Sequence, residues 1–488
     1  MIAAPEQRRL FLTVLAATIL LQAAWILALP AFSGSDEFDH VYKAESVAHG
    51  QLLDDGATAT GHGRLLAVPE DVVTAATDMC ESYKYTGRDN CHPGEAEANG
   101  LVSVASGAAT YNPTYYAVVG LLAQPFDGAA SDFAMRAYTA ILAALLLAWA
   151  SVVTSSWARN AWPLVGLLVA VTPVLVYSTA VTSPNGVGYA AACLLWAAGL
   201  GLVETPRRPR VAALTTAALV VMATHATGVV WVALVVGVIA LLQPLSRWRA
   251  LLLQAPRTLT GAAAVVCAGG LACVSWILLA KTNAVAVTSV ASAQVPTGDL
   301  VVAQFVWALQ TIAAFPMRDE PAPVVVYVLW LLPFIALLAL GFRRATMRVR
   351  VVGTALLAVW IAVPMTLTLV SYAAEGLAWQ GRYALPLAVG LPALAGLALH
   401  RDARGPGRRG CATTIVLCAL AQTISCVWVA WRETDKGIVT TFAGSSPAAI
   451  ALISLLALTG AMLPLLLLRR DPCPHSPSEA ARPATIGV

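Results

Sequence analysis

The sequence predicts an all-α integral membrane protein, a bundle of about twelve transmembrane helices with a long extracytoplasmic first loop. Three observations carry this reading. Hydrophobic residues make up 58% of the 488 and charged residues only 11%, against roughly a quarter charged in a soluble chain. Mean hydropathy is +0.73. Apolar runs of about twenty residues, the length that spans a bilayer, recur along nearly the whole chain. The net charge of +4, with no basic aromatic patch, gives no footing for nucleic-acid binding.

In chain order, a short cytoplasmic N-terminus (1–9) precedes the first span, Leu10–Phe32. That run lacks a small-residue cleavage site, so it reads as an uncleaved helix and not a signal peptide. Further spans are expected at Ala134–Val153, Trp162–Ala180, Val187–Val203, Val211–Thr224 and Gly228–Leu242. The second half gives Leu259–Ala280, Val324–Gly341, Val349–Ser371 and Tyr383–Leu399, then a C-terminal pair within 401–470, Cys411–Trp431 and Ala448–Leu468. A disordered cytoplasmic tail is expected at 471–488.

The first loop, 33–133, holds fifteen of the 26 acids. A loop of that length in a compact protein is more often functional or a small lid than a connector. It is expected to fold as short juxtamembrane helices, the first over Asp36–Gly50, with Phe38, Val41, Tyr42 and Ala48 apolar on a polar background. Pro113–Pro125 is apolar but only thirteen residues long, which suits a re-entrant or interfacial helix. With that segment kept outside, 20 of the 30 basic residues lie inside and 21 of the 26 acids outside. This obeys the positive-inside rule and puts both termini in the cytoplasm of a cell (plasma or inner) membrane protein. Cys80 and Cys91, on the oxidising side, are expected to form a disulfide. A metal site on Cys80, Cys91 and His92 lacks a second ligand pair.

The polar residues of the outer face are the functional candidates. Asp36-Glu37-Phe38-Asp39-His40 follows the first span, and so many ionisable groups at an apolar boundary suggest chemistry there. A plain helix cap is the alternative for Asp36 and Glu37, and a packed interfacial histidine for His40. Asp39 reads as a solvated helix-start residue. Asn112-Pro113-Thr114-Tyr115-Tyr116 opens the short apolar segment; its rings could serve only as interfacial anchors. Ser183-Pro184-Asn185-Gly186 lies between the third and fourth spans, and Gln380-Gly381-Arg382-Tyr383 before the tenth. His225 breaks an apolar pair of spans, where burial is costly without a partner. Lys281 reads as a helix-end anchor. No Walker loop, nucleophile elbow, zinc-protease helix or dinucleotide fingerprint is present.

The acidic pair after the first span, the Asn-Pro-Thr-Tyr-Tyr segment and an arginine (Arg136) leading the second span resemble the GT-C superfamily of polyprenyl-phosphate-sugar glycosyltransferases. Ser35-Asp36-Glu37 with His40, and the Asn112, Ser183 and Gln380 motifs, are similar in order and spacing to a bacterial family of uncharacterised multi-pass membrane proteins in that clan. The resemblance covers roughly residues 10–400. It implies an inverting transfer from a polyprenyl-phosphate-linked sugar to a cell-envelope glycan, lipid or protein acceptor at the outer leaflet. It also implies Asp36 as general base with Glu37 beside it in the catalytic site. Arg382 would bind the leaving phosphate through paired donors. His40, Asn112, Tyr115, Tyr116, Asn185, His225, Gln380 and Tyr383 would line the substrate site. Relatives often carry aspartate where this chain has Asn185, and histidine where it has Asn112, so no cofactor is expected and a divalent metal is not favoured. The rival readings are a transporter or flippase of lipid-linked saccharide, and a non-catalytic glycan-assembly subunit. Against the transporter, the spans carry few ion-coupling residues and no inverted repeat.

Overall fold

The computed structural model describes residues 5–281 apart from 59, 61, 95, 97 and 98, then 297–315, 321–375, 379–401, 405–435 and 446–469. The chain opens with α1 (Pro5–Ala28). The first loop then holds α2 (Glu37–Ala48), β1 (Arg64–Pro69), α3 (Glu70–Glu81), α4 (Arg88–Cys91), β2 (Leu101–Ser106) and α5 (Pro113–Ala123). The bundle continues through α6 (Gly128–Ser155), α7 (Trp162–Ala170), α8 (Pro173–Ser178), α9 (Pro184–Glu204), α10 (Arg208–Thr224), α11 (Gly228–Leu241), α12 (Leu245–Gln254) and α13 (Pro256–Leu279). It ends with α14 (Thr297–Gln310), α15 (Val324–Arg344), α16 (Met347–Glu375), a tight turn at Gly381–Ala384, α17 (Leu385–Ala388), α18 (Gly390–Leu399), α19 (Gly407–Asp435) and α20 (Pro447–Met462). The expected tail, 471–488, lies outside the described residues.

Among the described residues nine helical stretches are long and apolar enough to cross a bilayer, or ten when α11 and α12 count as one bent span. The protein is therefore a multi-pass, mostly helical membrane protein, and the described residues show nine or ten such stretches where the sequence suggests about twelve. The run Trp162–Ala180 breaks into α7 and α8 at Val171–Thr172. Pro173 supplies no N–H and disfavours helix in the residue before it. The carbonyl of Val171 freed by the break accepts from Gln422 Nε2 at 3.0 Å. Val211–Thr224 lies in α10, which at 17 residues is roughly 25 Å long at 1.5 Å per residue. The helix α11 turns by 102° into α12.

The membrane core is built around α9, which is buried over its whole membrane window. Its Trp196 donates to the Pro386 carbonyl at 2.8 Å. Gly390 lies flat against the same indole, where a Cβ would stand 2.3 Å from the ring. By contrast α13, α15 and α16 expose Leu271, Leu278, Ile335 and Val370, as helices facing hydrocarbon do.

The first loop forms a lid over one end of the bundle with its own apolar core. The helix α2 begins and ends close to expectation, and Gly50 past its end takes φ 92°, a conformation glycine adopts without strain. The apolar segment is an eleven-residue helix, α5, too short to cross a bilayer. It packs on α2 so closely that a Cβ on Gly120 would stand 2.3 Å from the Ala44 carbonyl.

The lid is not purely helical, which corrects the expectation of helices alone. β1 and β2 pair antiparallel, with Leu66 opposite Val104 and Val68 opposite Val102, all four buried. The sequence conceals this ribbon because its partners are separated by two helices, and neither strand alternates cleanly. Cys80 and Cys91 do form a disulfide, joining the ends of α3 and α4 with Cα atoms 5.5 Å apart. A closed loop of this size contributes about 2–3 kcal/mol in the chain-entropy model. Cys80→Ser should therefore speed proteolysis of the lid while sparing the bundle, and unreduced native protein should leave both thiols unlabelled.

Candidate functional site

The turn between α1 and α2 is unusual in its backbone. Phe32 and Asp36 both take positive φ, 60° and 56°. For non-glycine residues that is a strained conformation, best tolerated by Asp and Asn. Several contacts from distant elements hold the turn. The Phe32 N–H donates to Asp132 Oδ2 at 2.8 Å, and the Ser35 N–H to the Tyr177 hydroxyl at 3.0 Å. The Tyr83 hydroxyl donates to the Gly34 carbonyl at 3.1 Å. Gly34 is fixed as glycine, since a Cβ would stand 2.8 Å from Glu37 Oε2 and 2.9 Å from Val181.

Asp36 and Glu37, adjacent in sequence, have opposite surroundings. Glu37 is fully buried and each of its oxygens has two donors. Oε1 accepts from Arg136 Nε at 2.9 Å and the Thr182 N–H at 2.6 Å. Oε2 accepts from Arg136 Nη2 at 2.6 Å and the Gly34 N–H at 2.7 Å. Arg136 also pairs with Asp132 at 3.2 Å and donates to the carbonyls of Leu29 and Pro30. This network ties the end of α1, the start of α2, the head of α6 and the turn before α9.

The Asp36 side chain, by contrast, is 20% exposed. Its Oδ2 lies 3.3 Å from Arg382 Nη2, across 346 residues of sequence, and its Oδ1 accepts from the Tyr85 hydroxyl at 3.3 Å. Charge-assisted contacts are usually nearer 2.8 Å, so the pair is loosely engaged. It is open to water where Glu37 is not.

Arg382 sits in the turn Gly381–Ala384, anchored by the Gly381 N–H donating to Gln310 Oε1 at 2.8 Å. Its guanidinium carbon stands 5.6 Å from the Tyr383 ring centroid, and that ring meets His225 edge-on at 5.8 Å. Three buried nitrogens in this group have no hydrogen-bond partner among the described residues, namely Arg382 Nε, Gln380 Nε2 and His225 Nε2. Burial, and then Arg382, lower the His225 pKa to about 4, so the ring is neutral at pH 7. The Thr227 N–H donates to Nδ1 at 3.2 Å, which puts the ring proton on Nε2. All three nitrogens are therefore donors.

Two small hollows adjoin these groups. One, of about 10 Å³, is lined by Ser35, Gln310, Gln380 and Arg382 among others. The second, of about 20 Å³, is lined by Tyr111, Asn112, Tyr116, Pro184, His225 and Trp276 among others. Each is of water size, so a larger ligand needs the walls to part.

The structure thus brings Asp36, Gln380, Arg382, Tyr383 and His225 into one chain of contacts, with Asn112 and Tyr116 beside His225. His40 joins the second group through its Nδ1, 2.8 Å from the Tyr116 hydroxyl. Tyr115 is turned away, bonded at 2.7 Å to Thr139 on α6. Asn112 also caps α5, its Oδ1 accepting from the Thr114 N–H at 3.0 Å. For Asn185 the backbone N–H is held by Ser183 Oγ at 3.4 Å, and its neighbour Pro184 lines the second hollow. Asp39 accepts from the Gly107 N–H at 2.7 Å, tying α2 to the end of β2. Sequence reasoning passed over Asp132, Tyr177, Tyr85 and Gln310. The four-residue spacing of Asp132 and Arg136 at the head of a long apolar helix was the available signal for the first.

Burial lowers the His40 pKa to about 4, with Arg382 acting the same way and Asp36 and Glu37 opposing. The unfolded chain binds this proton near pH 6.5, so the contribution to stability is complete above pH 6.5 and is lost as pH falls toward 4. The thermal midpoint should fall over that window. His40→Gln should flatten part of the slope. An unchanged slope would contradict the burial of a neutral His40.

No curated protein matches the chain. A sequence profile of the family DUF2142, described as a predicted membrane protein, matches residues 19–391, and the chain belongs to that family.

Proposed function

We propose that the chain is a membrane glycosyltransferase of the GT-C type, moving a hexosyl or pentosyl unit from polyprenyl phosphate to a cell-envelope acceptor with inversion. The observation that carries this is the Asp36–Arg382 pair. A partly exposed carboxylate on a strained turn meets a guanidinium that has an unpartnered Nε beside two further unpartnered donors. A surplus of buried donors suits an anion such as phosphate. The distribution of arginines supports a lid on the outer side and both termini in the cytoplasm.

In this reading the donor phosphate engages Arg382 and the neighbouring donors, drawing the guanidinium off Asp36. The Asp36 carboxylate takes the proton of the acceptor hydroxyl as its oxygen bonds to the anomeric carbon. The bond from that carbon to the phosphate oxygen breaks with its electron pair on the oxygen, and polyprenyl phosphate leaves. No metal takes part in this step. Glu37, with every acceptor position filled, positions Asp36 and takes no proton. His225, Gln380 and Tyr383 border the phosphate, and His40, Asn112 and Tyr116 border the sugar.

The test is chemical fate of the donor. Purified protein in detergent is incubated with polyprenyl-phosphate sugar labelled in the sugar, together with envelope extract as acceptor. The enzyme detaches label from the lipid, and the loss tracks active protein. A transporter or a non-catalytic subunit returns the donor intact, and that result would refute the reading.

A further inference from the structure

A second cavity lies far from Asp36. It measures about 210 Å³ and opens among α1, α6, α7, α19 and α20. Its lining runs from Leu10 to Leu21 on α1 and from Cys411 to Gln422 on α19. Eleven residues of rise on each helix make it roughly 16 Å long at 1.5 Å per residue. The walls are aliphatic for most of that length.

The two ends differ. At the deep end Gln422 Oε1 and Trp330 Nε1 are buried without partners among the described residues, so the apolar lining stops there. At the arginine-bearing rim Arg9 donates to the Leu466 carbonyl, next to the lining residue Leu467. Arg8, Arg159, Arg408 and Arg409 each fall within three residues of the lining residues Leu10, Ala161 or Cys411. Glu6 is the acid on the same end of α1. Basic groups at a bilayer face over an apolar slot match one chemistry, a negatively charged headgroup above a hydrocarbon chain.

We infer that this cavity is a binding site for one acyl chain of an anionic phospholipid, drawn from the leaflet at the arginine-bearing end, with Arg9 at the headgroup. The chain runs inward along α1 and α19 and stops at Gln422 and Trp330. The inference is independent of the transferase reading, whose phosphate-binding groups lie beyond the opposite end of α1.

The test uses the purified full chain in detergent with phosphatidylglycerol carrying a photoreactive diazirine in one acyl chain. Label should concentrate on the lining peptides of α1 and α19. A phosphatidylcholine probe with the same chain should label less by about fivefold, the effect of one arginine near an anionic surface, and Arg9→Gln should erase that difference. Leu168→Trp, or Leu164→Trp if the first variant does not fold, should bring slot labelling to background with the thermal midpoint unchanged. Undiminished labelling in a folded tryptophan variant, or label spread evenly onto α13, would overturn the assignment. So would displacement of the probe by polyprenyl phosphate in preference to phosphatidylglycerol, which would give the slot to the carrier lipid.

Discussion

Asp36→Asn is expected to lower sugar transfer by about 10²–10⁴-fold, the range attributed to a positioned general base, with no loss of folded protein. Asn keeps the shape, tolerates the left-handed backbone at φ 56°, and can still accept from Tyr85, but it cannot take a proton. Asp36→Gly sharpens the separation of function from stability. It removes the carboxylate and relieves a backbone strain of order 1–3 kcal/mol, so it should be as inactive as Asn yet at least as stable. A thermal midpoint by size exclusion after heating, paired with the transfer rate, checks both. A Gly variant that is both active and stable would remove Asp36 from the chemistry.

Arg136→Ala should have the largest effect on stability. The guanidinium is fully buried between Glu37 and Asp132. Removing one partner of a buried ion pair leaves uncompensated charge and costs about 3–5 kcal/mol. Here two carboxylates are left behind, and that cost is a large share of the stability of a typical fold. The variant should aggregate or fail to accumulate. Arg136→Met combined with Glu37→Gln and Asp132→Asn removes all three charges and should recover much of the loss, because neutral replacement of a buried ionic cluster is often tolerated. Folded, heat-stable Arg136→Ala would mean the network does not hold the turn.

What the sequence reveals follows from the range of each interaction. The start of α2, the short helix α5 and the disulfide partners are local features, set by apolar spacing, proline positions and a pair of cysteines in one loop. The ribbon β1–β2 is not, since its register depends on residues separated by two helices. Composition alone also overlooks one local rule. Pro173 breaks an apolar run that composition alone passes as one helix. At the site, Asp36 and Glu37 look equivalent in the sequence, and only Arg136, about a hundred residues on, distinguishes them. The convergence of Asp36 with Arg382 across 346 residues is a property of bundle packing, which the sequence signalled only through the family resemblance and not through any local pattern. His225 was legible as an anomaly, a polar ring between two apolar helices, though its contact with Tyr383 was not.

The most direct test of the shared site is a double-mutant cycle on transfer rate with Asp36→Asn, Arg382→Gln and the combined variant. Groups acting on one transition state lose activity non-additively, so the combined variant is predicted to be no slower than the slower single one. Single variants that transfer at the wild-type rate, or losses that simply multiply, would contradict a common role for these two side chains.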